Sequence, residues 1–173
     1  MDSACQLVQI RGYNGFSFHD LAEMVGIRTA SIHYHFPTKA DLGQALMLRY
    51  SASFMAALGD PALGEPRALL ERYISLFRTT LLEGRMCLCG MVSAEIGGVP
   101  EPMGRQAHVF FKANEEWLQQ VLVRIGQDES SGLVQARLIL AALEGAMLMA
   151  RTGSDISLFD QVSGALMTRH TQG

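Results

Sequence analysis

Two four-residue boxes, Ser17-Phe18-His19-Asp20 and Thr38-Lys39-Ala40-Asp41, constrain this chain more than any other feature. In each, a hydroxyl and a carboxylate three residues on satisfy the orphan amides of a helix's first turn. Between them one helix must start, stop at Gly26, turn through Ile27, and restart as a brief helix over residues 29–35 before Pro37. Glycine ends helices by taking the left-handed conformation, and proline cannot extend one. Leu21, Ala22 and Val25 form the inward face of the first of these helices. Ala22 sits where the two cross, and Ile27 and Ile32 are expected to fill the shared core. Two short helices joined by a three- or four-residue turn make a helix-turn-helix pattern. On that pattern alone, DNA binding and a non-binding three-helix unit both stand.

The rest of the chain also reads as helix. Strand-like alternation is nearly absent, and glycine and proline fall where helices would stop. Helices are expected over residues 2–11, 17–25, 29–35, 38–58, 66–83, 87–97, 102–126, 132–152 and 156–169, giving an all-α fold of about nine helices. With 49% apolar and 18% charged residues among 173, the chain has the make-up of a packed globule rather than a disordered tail. Residues 138–150 are the longest apolar stretch; Glu144 interrupts it, and it is shorter than the roughly 20 residues a bilayer span needs. No membrane partner is expected. Three cysteines are an odd number and too few for a disulfide scaffold, and no leader follows Met1, so a cytoplasmic location with reduced thiols is expected. The net charge of −3 is uneven: residues 1–50 hold four Lys or Arg against four Asp or Glu, so the excess acidity lies beyond them. His33 and His35 are two apart and point to different sides of a helix, which disfavours a shared metal. No glycine-rich phosphate loop is present, and neither a metal nor a cofactor is expected.

The run SFHDLAEMVGIRTASIHYHFPTKADL resembles the N-terminal signature of TetR-family transcriptional repressors. It meets the family pattern at Ser17, Asp20, Leu21, Ala22, Gly26, Ile27, Ile32, His35, Phe36 and Lys39, and Gly12-Tyr13 also fits. The resemblance implies a helix-turn-helix DNA-binding head over residues 1–48 and a ligand-binding and dimerisation bundle over residues 49–173. It implies that the short third helix enters a major groove, about 12 Å wide, with its first residues on base edges. Arg28, Thr29, Ser31 and Tyr34, with His19 from the preceding helix, match base-reading positions. His33, His35 and Lys39 match positions that contact the phosphate backbone, and the capped helix start at Ser17 offers amides to a phosphate. His35 fits a core position beside Phe36 equally well, and Lys39 fits a plain solvated lysine. Three departures stand out. Arg28 replaces the usual capping serine and has no acceptor to offer, so Thr29 is expected to cap instead. Ala30 replaces the usual glycine. Family members also begin a turn or two earlier, so a shortened first helix and a lower DNA affinity are expected.

By the same resemblance, the last two helices form a four-helix dimer interface. Leu138, Leu140, Ala141, Ala142, Ala146, Met149 and Ala150 supply a broad small-residue face for it. The partners implied are a double-stranded operator, a second copy of the chain and a small-molecule inducer. Tyr73, Phe77, Met91, Phe110, Phe111, Trp117, Glu144 and Met147 are candidate pocket residues, though aromatic and Met residues at helical spacing are also what a plain core contains. Cys87-Leu88-Cys89 lies at an expected helix start beside Arg85, a setting that favours thiolate. With Ser93-Ala94-Glu95 it resembles a thiol-sensing subset of the family, making Cys87 and Cys89 candidate sensor thiols; two buried inert thiols fit as well. Cys5 is expected in the core. Two other readings remain open: a thiol-dependent enzyme pairing Cys87 with His108, for which no residue is placed to orient the histidine, and a helix-turn-helix interaction module that does not bind DNA.

Overall fold

A computed structural model describes residues 1–171 of the chain. Among these it shows nine α-helices and no strand: α1 (Asp2–Arg11), α2 (Phe18–Val25), α3 (Thr29–His35), α4 (Lys39–Leu58), α5 (Pro66–Leu82), α6 (Leu88–Ala94), α7 (Glu101–Arg124), α8 (Glu129–Gly153) and α9 (Ile156–Thr171). The all-α expectation holds, with helix boundaries within a few residues of the breaks read from glycine and proline.

The caps have the predicted chemistry. At α2, Ser17 Oγ accepts from the Asp20 backbone N–H at 3.2 Å, and the Asp20 carboxylate accepts from the Ser17 N–H at 2.6 Å. At α4, Thr38 and Asp41 repeat the exchange at 3.1 and 2.9 Å. The hydroxyl of Ser17 also donates to Asp20, holding that carboxyl below its ordinary value. Gly26 ends α2 with φ +74°, and the Ile27 N–H returns to the Ala22 carbonyl at 3.0 Å. This is how a left-handed residue satisfies the last carbonyls of a helix. At α3 one expectation fails: the capping position is Arg28, with no side-chain hydrogen bond, and Thr29 is already the first helical residue.

The chain packs as two units that do not follow chain order. One comprises Met1–Phe54 with Cys87–Phe110; the other comprises Met55–Met86 and the chain from Phe111 onward. In the first unit α1 and α2 pack together, α2 packs on α3, and α6 packs on α1. Its core includes Leu7, Val8, Phe16, Leu21, Ala22, Ile32, Leu46 and Met103. The α1–α2 loop is fixed from α6: Asn14 donates to Glu95 Oε2 from its backbone at 3.0 Å and its side chain at 2.9 Å. Gly12 sits so close to that carboxylate that a Cβ there would collide with it.

In the second unit α9 packs on both α8 and α5. Arg78 on α5 grips Asp160 on α9 through two bonds, at 2.7 and 2.9 Å, which hold the Asp160 carboxyl below its usual range. Helix α8 runs well beyond the apolar stretch of residues 138–150, and by length and composition it is able to cross a bilayer. Its inward positions Ala136, Ile139, Leu143, Ala146, Met147 and Ala150 recur every three or four residues, as in a core helix with one face in its own bundle.

Replacing the Ser17 hydroxyl should cost about 1 kcal/mol, the usual worth of such a cap. We expect Ser17→Ala to unfold at lower urea concentration with an unchanged denaturant slope. An unchanged midpoint would mean that the box contributes nothing to the head.

Candidate nucleic-acid interface

The seven residues of α3 divide sharply. Ile32 is 5% exposed and is the helix's one buried residue, resting on the α2 side. Around it Ala30, Ser31, His33, Tyr34 and His35 are exposed and Thr29 is half-buried; Tyr34 is 85% exposed. Arg28, just ahead of the helix, and His19 and Ser17 at the start of α2 are exposed as well. The helix-turn-helix therefore presents nearly every side chain predicted to face DNA, and its own core requires few of them.

Three residues take positions the sequence left open or misjudged. Ile27, expected in the shared core, is 46% exposed; it lies in the turn just past the left-handed Gly26, and of the two isoleucines Ile32 is the buried one. Val25 is 47% exposed because it ends α2 one turn beyond Leu21, where nothing covers it. His35 is exposed rather than packed in the core. His33, by contrast, leans edge-on against Phe18 with centroids 4.7 Å apart, and its Nδ1 lies 3.3 Å from the Pro37 carbonyl. That contact helps to hold α3 on α2.

Lys39 points inward. Its ammonium donates to the Phe16 carbonyl and lies 4.5 Å from the centre of the Tyr13 ring and 4.4 Å from that of Phe16. Burial pushes its pKa below the ordinary lysine value, against the pull of Glu95 and Asp20. Lys39 thus ties the first turn of α4 to the residue that precedes the Ser17 box.

The ligand candidates separate into two groups. Tyr73, Phe77 and Trp117 meet in the second unit: Tyr73 stacks on Trp117 with centroids 5.7 Å and planes 19° apart, and Phe77 lies 5.3 Å from Tyr73. Met147 is buried in that unit, and Phe111 and Glu144 are half-buried there. Met91 and Phe110 belong to the first unit, where Phe110 packs against Tyr50 and Phe54. Asn114 was missed by the sequence reading. It is fully buried on α7, one turn before Trp117, with its amide 3.9 Å from the Met55 sulfur. A lone amide among Phe110, Trp117 and Leu118 at helical spacing was the available signal.

Cys87 and Cys89 are 2% and 0% exposed, and the Tyr50 hydroxyl donates to the Cys87 sulfur at 3.8 Å. Cys5, expected in the core, is only half-buried beside Gln9.

An all-helical chain whose exposed short helix follows a capped partner and a glycine turn has the build of a helix-turn-helix regulator. The comparisons agree. Residues 1–46 match the family described as bacterial regulatory proteins, tetR family, and residues 66–165 match the transcriptional regulator LmrA/YxaF-like C-terminal domain. The chain belongs to the TetR family of transcriptional regulators. It is 25% identical over 174 residues to the HTH-type transcriptional regulator LmrA of Bacillus subtilis, across 96% of this chain and 92% of that protein. A TetR transcriptional regulator from Legionella pneumophila superposes with a TM-score of 0.92 at 34% identity, covering 97% of this chain and 93% of that one. A TetR-family regulator from Agrobacterium tumefaciens gives 0.85 at 29% identity, with 97% and 95% covered. These relatives are described as transcriptional regulators.

Burial predicts the thiol chemistry. In the folded protein Cys5 should react first with a water-soluble disulfide reagent, and Cys87 and Cys89 should react only after denaturant is added. Fast native labelling of Cys87 would show that its site opens readily and would support a sensor role over an inert thiol.

Proposed function

We propose that the chain is a repressor that binds a palindromic operator as a homodimer and is released by a small, largely apolar molecule. The observation that carries this reading is the exposed surface of α3, where Arg28, Ser31 and Tyr34 stand clear of the fold. In that role Arg28 pairs with a guanine edge, Ser31 adapts to either base of a pair, and Tyr34 meets a thymine methyl. Thr29 and His19 flank them, and Ser17 offers its helix start to a phosphate. Lys39 contributes through the loop it anchors, and His33 through its hold on Phe18. The operator places the protein's work in the cytoplasm.

One short reading helix contacts too few bases to specify a site, so two are needed, about one helical turn apart. The outer face of α8 supports a dimer. Val134, Leu138, Leu148 and Met149 are between 48 and 58% exposed, Ala141 is exposed, and the space around Gly145 is open. Positions 134, 138, 141, 145 and 148 alternate steps of four and three, the seam along which helices pair. Leu140, Ala146 and Ala150, expected on that face, point into the chain's own bundle. Burial of Cys87 favours a bound ligand over thiol modification as the releasing event. Such a ligand shifts the equilibrium only by its differential affinity for the two states, typically ~1–3 kcal/mol.

The test is binding to duplexes from the DNA flanking the protein's own gene, across a salt series. Affinity should fall steeply with salt as phosphates release counterions. Tyr34→Ala should change which sequences are preferred, and Lys39→Ala should weaken all of them alike. Equal effects of both variants on every sequence would contradict the groove assignment.

A further inference from the structure

Neutralisation of phosphates by fixed cations supplies much of a protein's affinity for a duplex, and this head is poor in them. Residues 1–50 hold Arg11, Arg28, Lys39 and Arg49, and three of the four are engaged within the protein. Arg11 faces Asp20 at 3.9 Å, Arg49 is bonded to Asp2 at 2.7 Å, and Lys39 donates inward to the Phe16 carbonyl. Arg28 is exposed, and its side chain caps nothing. Three of the chain's five histidines, His19, His33 and His35, lie in the same stretch, and all three are exposed.

Successive residues of a helix stand about 100° apart around its axis. Tyr34 points away from the core, opposite the buried Ile32, so His33 and His35 occupy the two flanks beside it. A helix seated in a major groove meets base edges along its outermost line and a phosphate strand on either side. The rings of both histidines have definite neighbours. His33 rests edge-on against Phe18, and its Nδ1 donates to the Pro37 carbonyl at 3.3 Å, because a carbonyl oxygen only accepts. Nε2 is then the atom that takes up a proton. His35 packs edge-on to Tyr34, with centroids 5.2 Å apart.

The charged and titratable groups around these rings are few. Arg28 and Tyr34 stand on the same stretch of chain. Helix α2, packed against α3, brings His19, Asp20 and Glu23, and the start of α4 brings Lys39 and Asp41. The Asp20 and Asp41 carboxylates are each taken by a capping amide and hydroxyl. Glu23 lies one turn from His19, where side chains meet. A proton on His19 therefore offsets Glu23, whereas a proton on His33 or His35 adds positive charge to the surface.

We propose that His33 and His35 are conditional phosphate contacts, each taking up a proton as the operator is bound, so that the protein holds DNA more tightly as pH falls. This rests on the reading of the chain as an operator-binding protein. Imidazole is the side chain whose charge changes near neutral pH. A histidine that gains a phosphate neighbour keeps its proton to higher pH in the complex than in the free protein. The affinity it adds is complete below the pKa of the free state and is lost as pH rises through that of the complex. A neutral histidine that only donates a hydrogen bond to phosphate would bring no such dependence.

The experiment titrates the intact protein into a rhodamine-labelled duplex from the DNA flanking its gene, at constant ionic strength, and follows anisotropy. Affinity should rise at least about tenfold from about pH 8 to about pH 6. Calorimetry in buffers of different ionisation enthalpy should show net proton uptake on binding. His33→Gln and His35→Gln should each flatten the profile and reduce the uptake. His35→Arg, which makes the charge permanent, should bind at least about threefold more tightly than wild type near pH 8. His108→Gln, on α7 and outside the helix-turn-helix, should keep the wild-type profile. Wild-type binding without proton uptake would overturn the proposal and leave the DNA-binding reading standing. So would uptake that both glutamine variants retain, or a His35→Arg protein no tighter than wild type near pH 8. Failure of the wild-type protein to bind any flanking duplex at any pH would remove that reading and the proposal together. Should His33→Gln not fold, because that ring also rests on Phe18, the His35 variants and the wild-type calorimetry decide.

Discussion

A helix of seven residues that buries only Ile32 has too little contact of its own to persist, because the first turn of any helix costs more than it returns. Everything proposed for this protein depends on how its neighbours hold α3 in place. Ile32 reaches the crossing left open by Ala22, and His33 leans on Phe18. Gly26 reverses the chain in one residue. The Ser17 and Thr38 boxes fix the helices on either side, and Lys39 binds the second of these to the loop before the first. With support concentrated behind it, the outer surface of α3 is left to side chains that serve no packing purpose. Such a surface is what reading a groove requires.

The same division of labour recurs on a larger scale in α8. Its inner positions complete the second unit, and its outer ones leave a seam of apolar and small residues exposed. Apolar seams of this kind are uncommon on a lone soluble chain and ordinary on one that pairs with itself. The proposed mechanism needs such pairing, since specificity from α3 depends on a second copy set at a fixed distance.

Local chemistry was legible in the sequence and long-range packing was not. The Ser17 and Thr38 boxes, the Gly26 turn and the nine helices follow from spacings of three or four residues, and the structure has all of them. Ile27 and Val25 were misplaced because a 3.6-residue period continues past the point where the covering element stops. The inward turn of Lys39 depends on the rings of Tyr13 and Phe16, 26 and 23 positions away, which no local pattern reveals. The grouping of Cys87–Phe110 with the head has the same origin: Glu95 meets Asn14 across a separation of 81 residues. A helix start beside an arginine suggested reactive thiols, but burial is set by tertiary contacts, and these enclose both Cys87 and Cys89.

The most direct test of a two-fold pair of reading helices is a hydroxyl-radical footprint on the bound duplex. Two protected patches on one face of the DNA, centred about 10 base pairs apart and related by the palindrome, are the predicted result. A single protected patch, or protection that wraps the duplex without that spacing, would contradict the arrangement on which the account is built.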